Sequence, residues 1–463
     1  MNWRTPLGSA QPAAACCHGK MSILGGPLLE ETEVEELLRK YPRFKGAIPP
    51  EARLWTEAEL ETFLASNGQR KPTDLGEEKK APVNCGLLTK ARLKLAEFKV
   101  EEATAEYISY CRHRQQRANF CNLPGIASCS PVQRVRQVPS GLTQPCTLVP
   151  KRGHEPVWRH WNISFWKEAC GLEYCNCRSR WPAFEQDSGF DALCIEAGLV
   201  EYLDYMLVVE IQDSACMEDQ ALAFPRLQVG DFCPFISSCS RFFKDHWRSW
   251  TPPGVDDLTL RWCEIYGSIF EQDPVHQLAQ FYRLHFGVIG SVSRLHRSNH
   301  QAHEWLLQME GQRMVFLFPP EETENIYELM GGYDEARSDG SFGYATHISE
   351  VNVFFPSQKR HPLFAKCQAF VSLLGEGKSL VIPSGWWWTA ISTQPSVTLH
   401  HSYWSFENRL GFVDALWAPF ESQQTSVDAR NVMRPAFAEL RESILQDDGK
   451  RELDDYVVIE GGR

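Results

Sequence analysis

The 463-residue sequence lacks any surplus of basic residues. It has 47 Lys and Arg against 59 Asp and Glu, a formal net charge of −12. Because a protein that binds the nucleic-acid backbone needs clustered positive charge, this balance argues against such a role. Short basic clusters at 111–117 and 358–362 are typical of a solvated helix face or loop. The sequence therefore predicts no nucleic-acid patch.

Long apolar runs are also missing. No stretch approaches the roughly 18 to 20 apolar residues that a membrane helix requires. The first 26 residues contain no acidic side chain, two basic ones and scattered small residues, without the apolar core of a signal peptide. We expect a disordered tail and an intracellular protein, cytoplasmic or nuclear, with organellar targeting by this tail left open.

The 16 cysteines lack the spacing of a metal module or a disulfide scaffold. None forms a C-x-x-C pair, and all but Cys367 precede residue 264. The pairs in "YCNC" and "FCPFISSC" do not have zinc-module spacing. The favoured interpretation is free, mostly buried thiols in a reducing compartment.

The residue composition and the hydrophobic pattern change along the chain. Helical periodicity and a capping box in "TEAE" mark the first part, Pro, Ser and Gly then dominate a short stretch, and aromatic and β-like runs follow. From these patterns we predict a disordered tail (1–26), an N-terminal helical region (28–120), a linker (121–150), a main domain (151–405) with its core barrel at 280–405, and a C-terminal helical extension with an acidic tail (406–463).

Several short β-like runs follow residue 280, among them "RMVFLFPP", "KSLVIPSG" and "SVTLHHSYWS". Gly and Pro turns separate these runs, and no long helix intervenes. This arrangement favours a mainly β fold with flanking helices, built around a double-stranded barrel or jelly roll.

Three segments carry a resemblance to a known family. They are "GSVSRLHRSNHQAHEWLLQMEGQRMVFLFPP" (290–320), "GEGKSLVIPSGWWW" (375–388) and "SVTLHHSYWSF" (396–406). Together they resemble the JmjC and cupin-like iron(II), 2-oxoglutarate-dependent oxygenases. The residues at the family's spacings are Trp305, Gly311, Arg313, Phe318, Pro319, Gly377, Ile382, Pro383, Gly385, Trp386 and Trp387. The resemblance covers roughly residues 150–405 and is sharp from 280 onward.

The resemblance implies a metal triad of two histidines and one carboxylate, which leaves positions for 2-oxoglutarate and oxygen. The family carries the first two ligands as H-x-D on one strand. Here His296 stands at the first position, but Ser298 replaces the carboxylate and Trp388 replaces the distal histidine. A serine hydroxyl is a weak iron ligand and an indole nitrogen is only a donor. We therefore predict a degenerate oxygenase that acts as a binding or scaffold module, with no cofactor expected.

The co-substrate site implied by the resemblance differs from that of the family in some of its residues. Arg313 stands where relatives place a cation that pairs with 2-oxoglutarate, and it could instead be a structural arginine paired with an acid. His400 stands where some relatives have a hydroxyl that touches the co-substrate. Leu306 replaces an asparagine of some relatives and, with Trp305, would line the pocket.

Two alternatives stay open at this stage. An active Fe(II), 2-oxoglutarate-dependent protein hydroxylase or demethylase would need a rebuilt metal site, with His300 or His303 joining His296. A small-molecule binder would use an apolar barrel mouth lined by Trp305 and Trp388. In each case a protein or peptide partner is conceivable, no membrane partner is expected, and the oligomeric state is undetermined.

Overall fold

A computed structural model describes residues 126, 128–149, 161–179, 193–215, 226–328, 347–354, 356–421 and 426–447. The predicted N-terminal tail, the predicted N-terminal helical region and nearly all of the acidic C-terminal tail lie outside these ranges.

The described ranges contain fifteen strands, most of them in the second half of the chain. They are β1 (Ser128–Pro131), β2 (Gln133–Val135), β3 (Cys146–Leu148), β4 (Tyr174–Ser179), β5 (Leu193–Gly198), β6 (Gln228–Phe232), β7 (Tyr282–Gly287), β8 (His296–Arg297), β9 (His303–Glu310), β10 (Gln312–Phe318), β11 (His347–Ile348), β12 (Gln368–Gly375), β13 (Ser379–Ile382), β14 (Trp387–Ser392) and β15 (Ser396–Tyr403).

Seven α-helices in the same ranges flank these strands. They are α1 (Ile163–Cys170), α2 (Leu199–Ala215), α3 (Ser240–His246), α4 (Thr259–Phe270), α5 (Pro274–Ala279), α6 (Leu410–Glu421) and α7 (Val427–Gln446). None of these helices is both long and apolar enough to cross a bilayer.

The strands form two sheets, which confirms the predicted mainly β fold with flanking helices. One sheet has the order β1-β12-β10-β14-β8-β11, and the other has the order β2-β3-β13-β9-β15-β7-β6-β4-β5. The consecutive strands β12, β13, β14 and β15 alternate between the two sheets, so that neighbours within a sheet are often distant in sequence, as in a jelly roll.

Side chains alternate across each barrel strand, because successive residues of a strand point to opposite faces. On β10, Val315 and Leu317 belong to a compact apolar cluster that also contains Leu306, Leu380 and Trp388. This cluster is the barrel interior. The intervening β10 residues belong instead to the larger cluster that the helices cover. Both faces are buried, so the polar side chains on these strands are buried as well.

Gly311 permits the tight turn between β9 and β10. Its φ is +71°, a conformation that favours glycine, and a Cβ there would lie 1.8 Å from the carbonyl oxygen of Pro395. The family-like spacing of this glycine therefore has a local steric cause.

The prediction of a linker at 121–150 was wrong for its described part. β1 pairs in parallel with β12, and β3 pairs antiparallel with β13, so this stretch adds edge strands to both sheets. Strands of three or four residues are too short to show a period of two, and the Pro and Ser residues around them are tolerated at sheet edges. Composition alone therefore indicated a linker.

Two further elements depart from their local sequence patterns. The segment "LCIEAGLVEYLDYM" (193–206) has a helical pattern, but α2 begins only at Leu199, and β5 before it pairs along its whole length with β4. The β-like run "FYRLHFGVIGSVSRLHR" (281–297) is divided into β7 and β8. Non-local strand pairing overrides the local helical pattern in the first case.

The C-terminal helices pack beside the barrel. α7 covers the stretch predicted as helix, and its N-cap Ser426 accepts a hydrogen bond from the backbone of Ala429. Phe437 of α7 packs against Phe270 of α4, with ring centroids 5.2 Å apart.

Candidate functional site

The three positions that the resemblance assigns to metal ligands lie at one end of the barrel interior. Trp388 on β14 pairs directly with His296 on β8, and their ring centroids are 4.3 Å apart. Ser298 directly follows β8. The sequence prediction that these positions are neighbours therefore agrees with the geometry of the strands.

Trp388 fills this end of the interior. The side chain is fully buried, and it belongs to the interior apolar cluster with Leu306 and Trp386. Trp387 points the other way, and its indole N–H donates to Thr323 Oγ1 at 3.0 Å. The three consecutive tryptophans are thus divided between two faces of β14 and the turn before it.

Glu304 organises the contacts around Trp388, although the sequence offered no family motif for it. The indole N–H of Trp388 donates to Glu304 Oε2 at 2.5 Å. His400 Nε2 lies 3.2 Å from the other carboxylate oxygen, and Ser298 also hydrogen-bonds to this carboxylate. We call Glu304, Trp388, Ser298 and His296 the tryptophan end of the barrel.

The Glu304 carboxylate is buried yet held in its charged form. Burial raises its pKa, but His400, His296 and the hydrogen bond from Ser298 together bring the pKa below its usual range. The tryptophan end therefore contains a desolvated negative charge whose oxygens are used by neighbouring donors.

His285 and His400 continue the polar contacts through the interior. His285 Nε2 lies 3.3 Å from His400 Nδ1. Burial, followed by the proximity of His400 and Arg313, holds the pKa of His285 well below its ordinary value. His285 is consequently neutral at physiological pH.

Arg313 lies at the opposite end of the interior. In the pairing of β10 with β14, Leu317 stands opposite Trp388 and Arg313 opposite Ser392, four residues further along. Four strand residues correspond to about 13 Å. Arg313 and the serine hydroxyls of Ser392 and Ser396, which lie 3.0 Å apart, form what we call the arginine end.

The guanidinium of Arg313 is buried, and part of its hydrogen-bonding capacity is unused among the described residues. The residue is 2% exposed, and its Nε and Nη1 have no hydrogen-bond partner among the described residues. Burial lowers its pKa to about 10, and the proximity of Tyr202 only partly opposes this effect. A desolvated cation with unused donors is suited to an anionic group such as a carboxylate. Of the two sequence interpretations, the described contacts favour anion binding, since no described acid pairs with Arg313.

The histidines proposed for a rebuilt metal site do not converge with His296. His303 Nδ1 accepts a hydrogen bond from the backbone of Ser384 at 2.9 Å, and its Nε2 lies 3.3 Å from Ser405 Oγ. His300 adopts a positive φ of 53°, and its carbonyl accepts from Trp404. Throughout the described ranges, no three His, Cys, Asp or Glu side chains are arranged to hold a metal ion.

The residues at the three ligand-equivalent positions do not fit an iron triad. They supply one imidazole, one hydroxyl that is already bonded to Glu304, and one indole. An indole nitrogen carries a hydrogen and has no lone pair for a metal. The chemistry of the donor set therefore disagrees with the metal that the resemblance implies.

The predicted apolar pocket lined by Trp305 and Trp388 was wrong. Trp305 points to the opposite face of β9 from Glu304 and Leu306, and it packs against Tyr282 and His401. Leu306 does lie beside Trp388, in the interior cluster. Alternation along "HEWLLQ" would have separated Trp305 from Leu306, and it would have marked Glu304 as an acid facing the interior.

His400 and His401 point to opposite faces of β15, because successive residues of a strand alternate in direction. His401 points outward, stacks on Tyr282 at 3.9 Å and lies 2.9 Å from Asp257 Oδ2. His400 points inward. Its contact with Glu304 brings it nearer to the tryptophan end than to the arginine end, where the resemblance to a co-substrate residue would have located it.

Comparisons with known proteins agree with this geometry. Residues 257–409 match a family described as a cupin-like domain. HSPB1-associated protein 1 from Homo sapiens is 30% identical over 121 residues, which is 26% of this chain and 22% of that protein.

Two further relatives match over similar lengths. Lysine-specific demethylase 8 from Xenopus tropicalis is 31% identical over 102 residues, or 22% of this chain and 20% of that protein. JmjC domain-containing protein D from Dictyostelium discoideum is 29% identical over 101 residues, again 22% and 20%. The matched part of the chain spans about a fifth of the length of these curated relatives.

Proposed function

Since residues 257–409 form a cupin-like domain of the JmjC and cupin family, we propose that this domain is a degenerate 2-oxoglutarate oxygenase that acts as a binding or scaffold module. The observation that carries the proposal is the hydrogen bond from Trp388 to Glu304. Through this bond, the residue at the distal-histidine position contacts another side chain of the protein.

The expected loss of metal affinity supports this proposal. Disturbing only the residues that surround metal ligands costs about 10- to 100-fold in affinity or activity. Here two of the ligand-equivalent residues, Ser298 and Trp388, are themselves unsuited to iron. The expected loss of metal affinity is therefore larger than that range.

The arginine end supports a remaining binding role. Arg313 keeps a buried positive charge, and its unused donors are suited to a carboxylate. We propose that the domain retains affinity for a small carboxylate, with 2-oxoglutarate as the first candidate, but does not turn it over.

The partner we propose is a protein. The human and rat relatives are named for association with HSPB1, and that name describes those proteins. By analogy, this chain would use its cupin-like domain to associate with another polypeptide.

The test measures metal and turnover on the full-length protein. After purification in the presence of Fe(II), we expect iron far below one equivalent and no succinate formed from 2-oxoglutarate. Calorimetry should detect 2-oxoglutarate binding that the R313M variant loses. One equivalent of iron, together with succinate formation that disappears in H296A, would overturn the proposal and establish an active oxygenase.

A further inference from the structure

Glu304 lies on β9, outside the H-x-S segment and outside the turn that carries Trp388. Its carboxylate nevertheless reaches both of the altered ligand positions. Oε2 lies 2.5 Å from Trp388 Nε1, and Ser298 hydrogen-bonds to the same carboxylate. A single acidic side chain therefore contacts the place of the missing carboxylate and the place of the missing histidine.

The neighbours of this carboxylate include the one retained histidine position. His296 is the direct strand partner of Trp388, and its ring centroid is 4.3 Å from that of the indole. His296 Nδ1 lies 2.7 Å from the carbonyl oxygen of Arg294, a contact that orients the ring. The imidazole of His296, the side chain of residue 388 and the carboxylate of Glu304 thus meet at one place in the interior.

We propose that Trp388, which takes the place of a ligand and hydrogen-bonds to Glu304, excludes divalent metal from this pocket, and that Glu304, rather than residue 298, is the carboxylate available to a cation here. The proposal rests on the degenerate function above. It assigns Glu304 a specificity role that the family pattern does not supply, because the pattern locates the carboxylate two residues after the first histidine.

Two physical arguments support this assignment. Two imidazoles and one carboxylate are sufficient protein ligands for a divalent transition metal, so replacing Trp388 alone with histidine would complete a set with His296 and Glu304. Converting Ser298 to aspartate as well would bring a second carboxylate next to Glu304. Like charges in a buried site oppose each other, so that change should add little affinity.

The experiment uses Co(II) as the probe, followed by its visible absorption and by calorimetry on the full-length protein. We expect W388H to bind one equivalent of Co(II), and W388H/E304Q to bind at least about 100-fold more weakly because a direct ligand is lost. W388H/S298D should bind within about 10-fold of W388H. W388F, which removes the indole without adding a ligand, is the matched control and should bind none.

Folding is checked separately by circular dichroism. If W388H does not fold, W388A with added imidazole supplies the missing nitrogen in the vacated space, and its Co(II) binding should again depend on Glu304. Equal affinities of W388H and W388H/E304Q would overturn the proposal. So would binding that appears only in W388H/S298D, or no binding in either W388H or imidazole-treated W388A. One equivalent of metal in the unmodified protein would instead overturn the degenerate function.

Discussion

The two ends of the barrel interior differ in whether their buried charges have partners among the described residues. At the tryptophan end, the Glu304 carboxylate accepts from Trp388 and Ser298 and lies 3.2 Å from His400. At the arginine end, Arg313 keeps two buried nitrogens without a partner among the described residues. Burying a charge costs less free energy when the charge has partners than when it has none, and an unpartnered buried cation is suited to an anionic ligand. The two ends therefore differ in one property: the buried charge has partners at the tryptophan end, and it has unused donors at the arginine end.

The largest expected effect comes from removing the Glu304 carboxylate at the tryptophan end. In E304A the indole N–H of Trp388 loses its acceptor in the core, and His400 Nε2 loses the carboxylate oxygen that lies 3.2 Å away. We expect the free energy of unfolding to fall by about 3–5 kcal/mol, as when one partner of a buried pair is removed. Urea unfolding measures the change.

The matched control for this prediction is E304Q, whose amide oxygen still accepts from the indole. Its expected cost is about 1 kcal/mol. If E304A and E304Q are equally close to the unmodified protein, the carboxylate does not organise this end.

A second prediction concerns the turn that leads into Trp388. His303 accepts from the backbone of Ser384 in that turn, and burial lowers its pKa from 6.5 to about 4. Between these two values the unfolded chain binds more protons than the folded one. Stability from this group is therefore fully present above pH 6.5, and it is lost as the pH falls toward 4 and below.

The difference between the pKa of His303 in the folded and unfolded states corresponds to about 3 kcal/mol. Urea unfolding of the unmodified protein and of H303Q at pH 7, 5.5 and 4.5 measures this contribution, since glutamine can accept from Ser384 without titrating. H303Q should lose less stability over this interval. Parallel curves for the two proteins would contradict the assignment.

The smallest expected effect tests the arginine end. Replacing a buried, unpaired guanidinium with an apolar side chain of similar length removes a desolvation cost. In R313M we expect the ligand-free protein to be more stable by about 1–2 kcal/mol. Thermal and urea unfolding without added carboxylate measure this change.

Lysine keeps the charge at this position and provides the control. R313K should show no gain in stability. If R313M is destabilised as strongly as E304A, then Arg313 has a structural partner, and the contrast between the two ends is lost.

The sequence was informative where a function depends on local order along the chain. His296, Ser298, Arg313 and Trp388 were identified from the resemblance of their segments to family motifs, and strand pairing brings His296 and Trp388 together. The sequence was uninformative where a residue acts through a distant partner. Glu304 is 84 residues from Trp388, and its role could not be predicted from spacing.

The errors have the same physical origin. β1 and β3 are recognisable only through their pairing with β12 and β13, more than 200 residues away. Trp305 was predicted beside Trp388, although alternation along β9 directs it to the other face. Short strands carry little periodic signal, and their positions depend on non-local hydrogen bonds.

By itself, the sequence determined which chemical groups stand at the positions that the resemblance assigns to metal ligands, because side-chain chemistry does not depend on the fold. Only the tertiary structure decided what those groups do instead. Folding brings a buried carboxylate to the indole of Trp388 and leaves the guanidinium of Arg313 without a described partner about 13 Å away. Which groups contact a buried charge depends on which strands lie side by side in the fold. The spacing of residues along the chain does not give this arrangement.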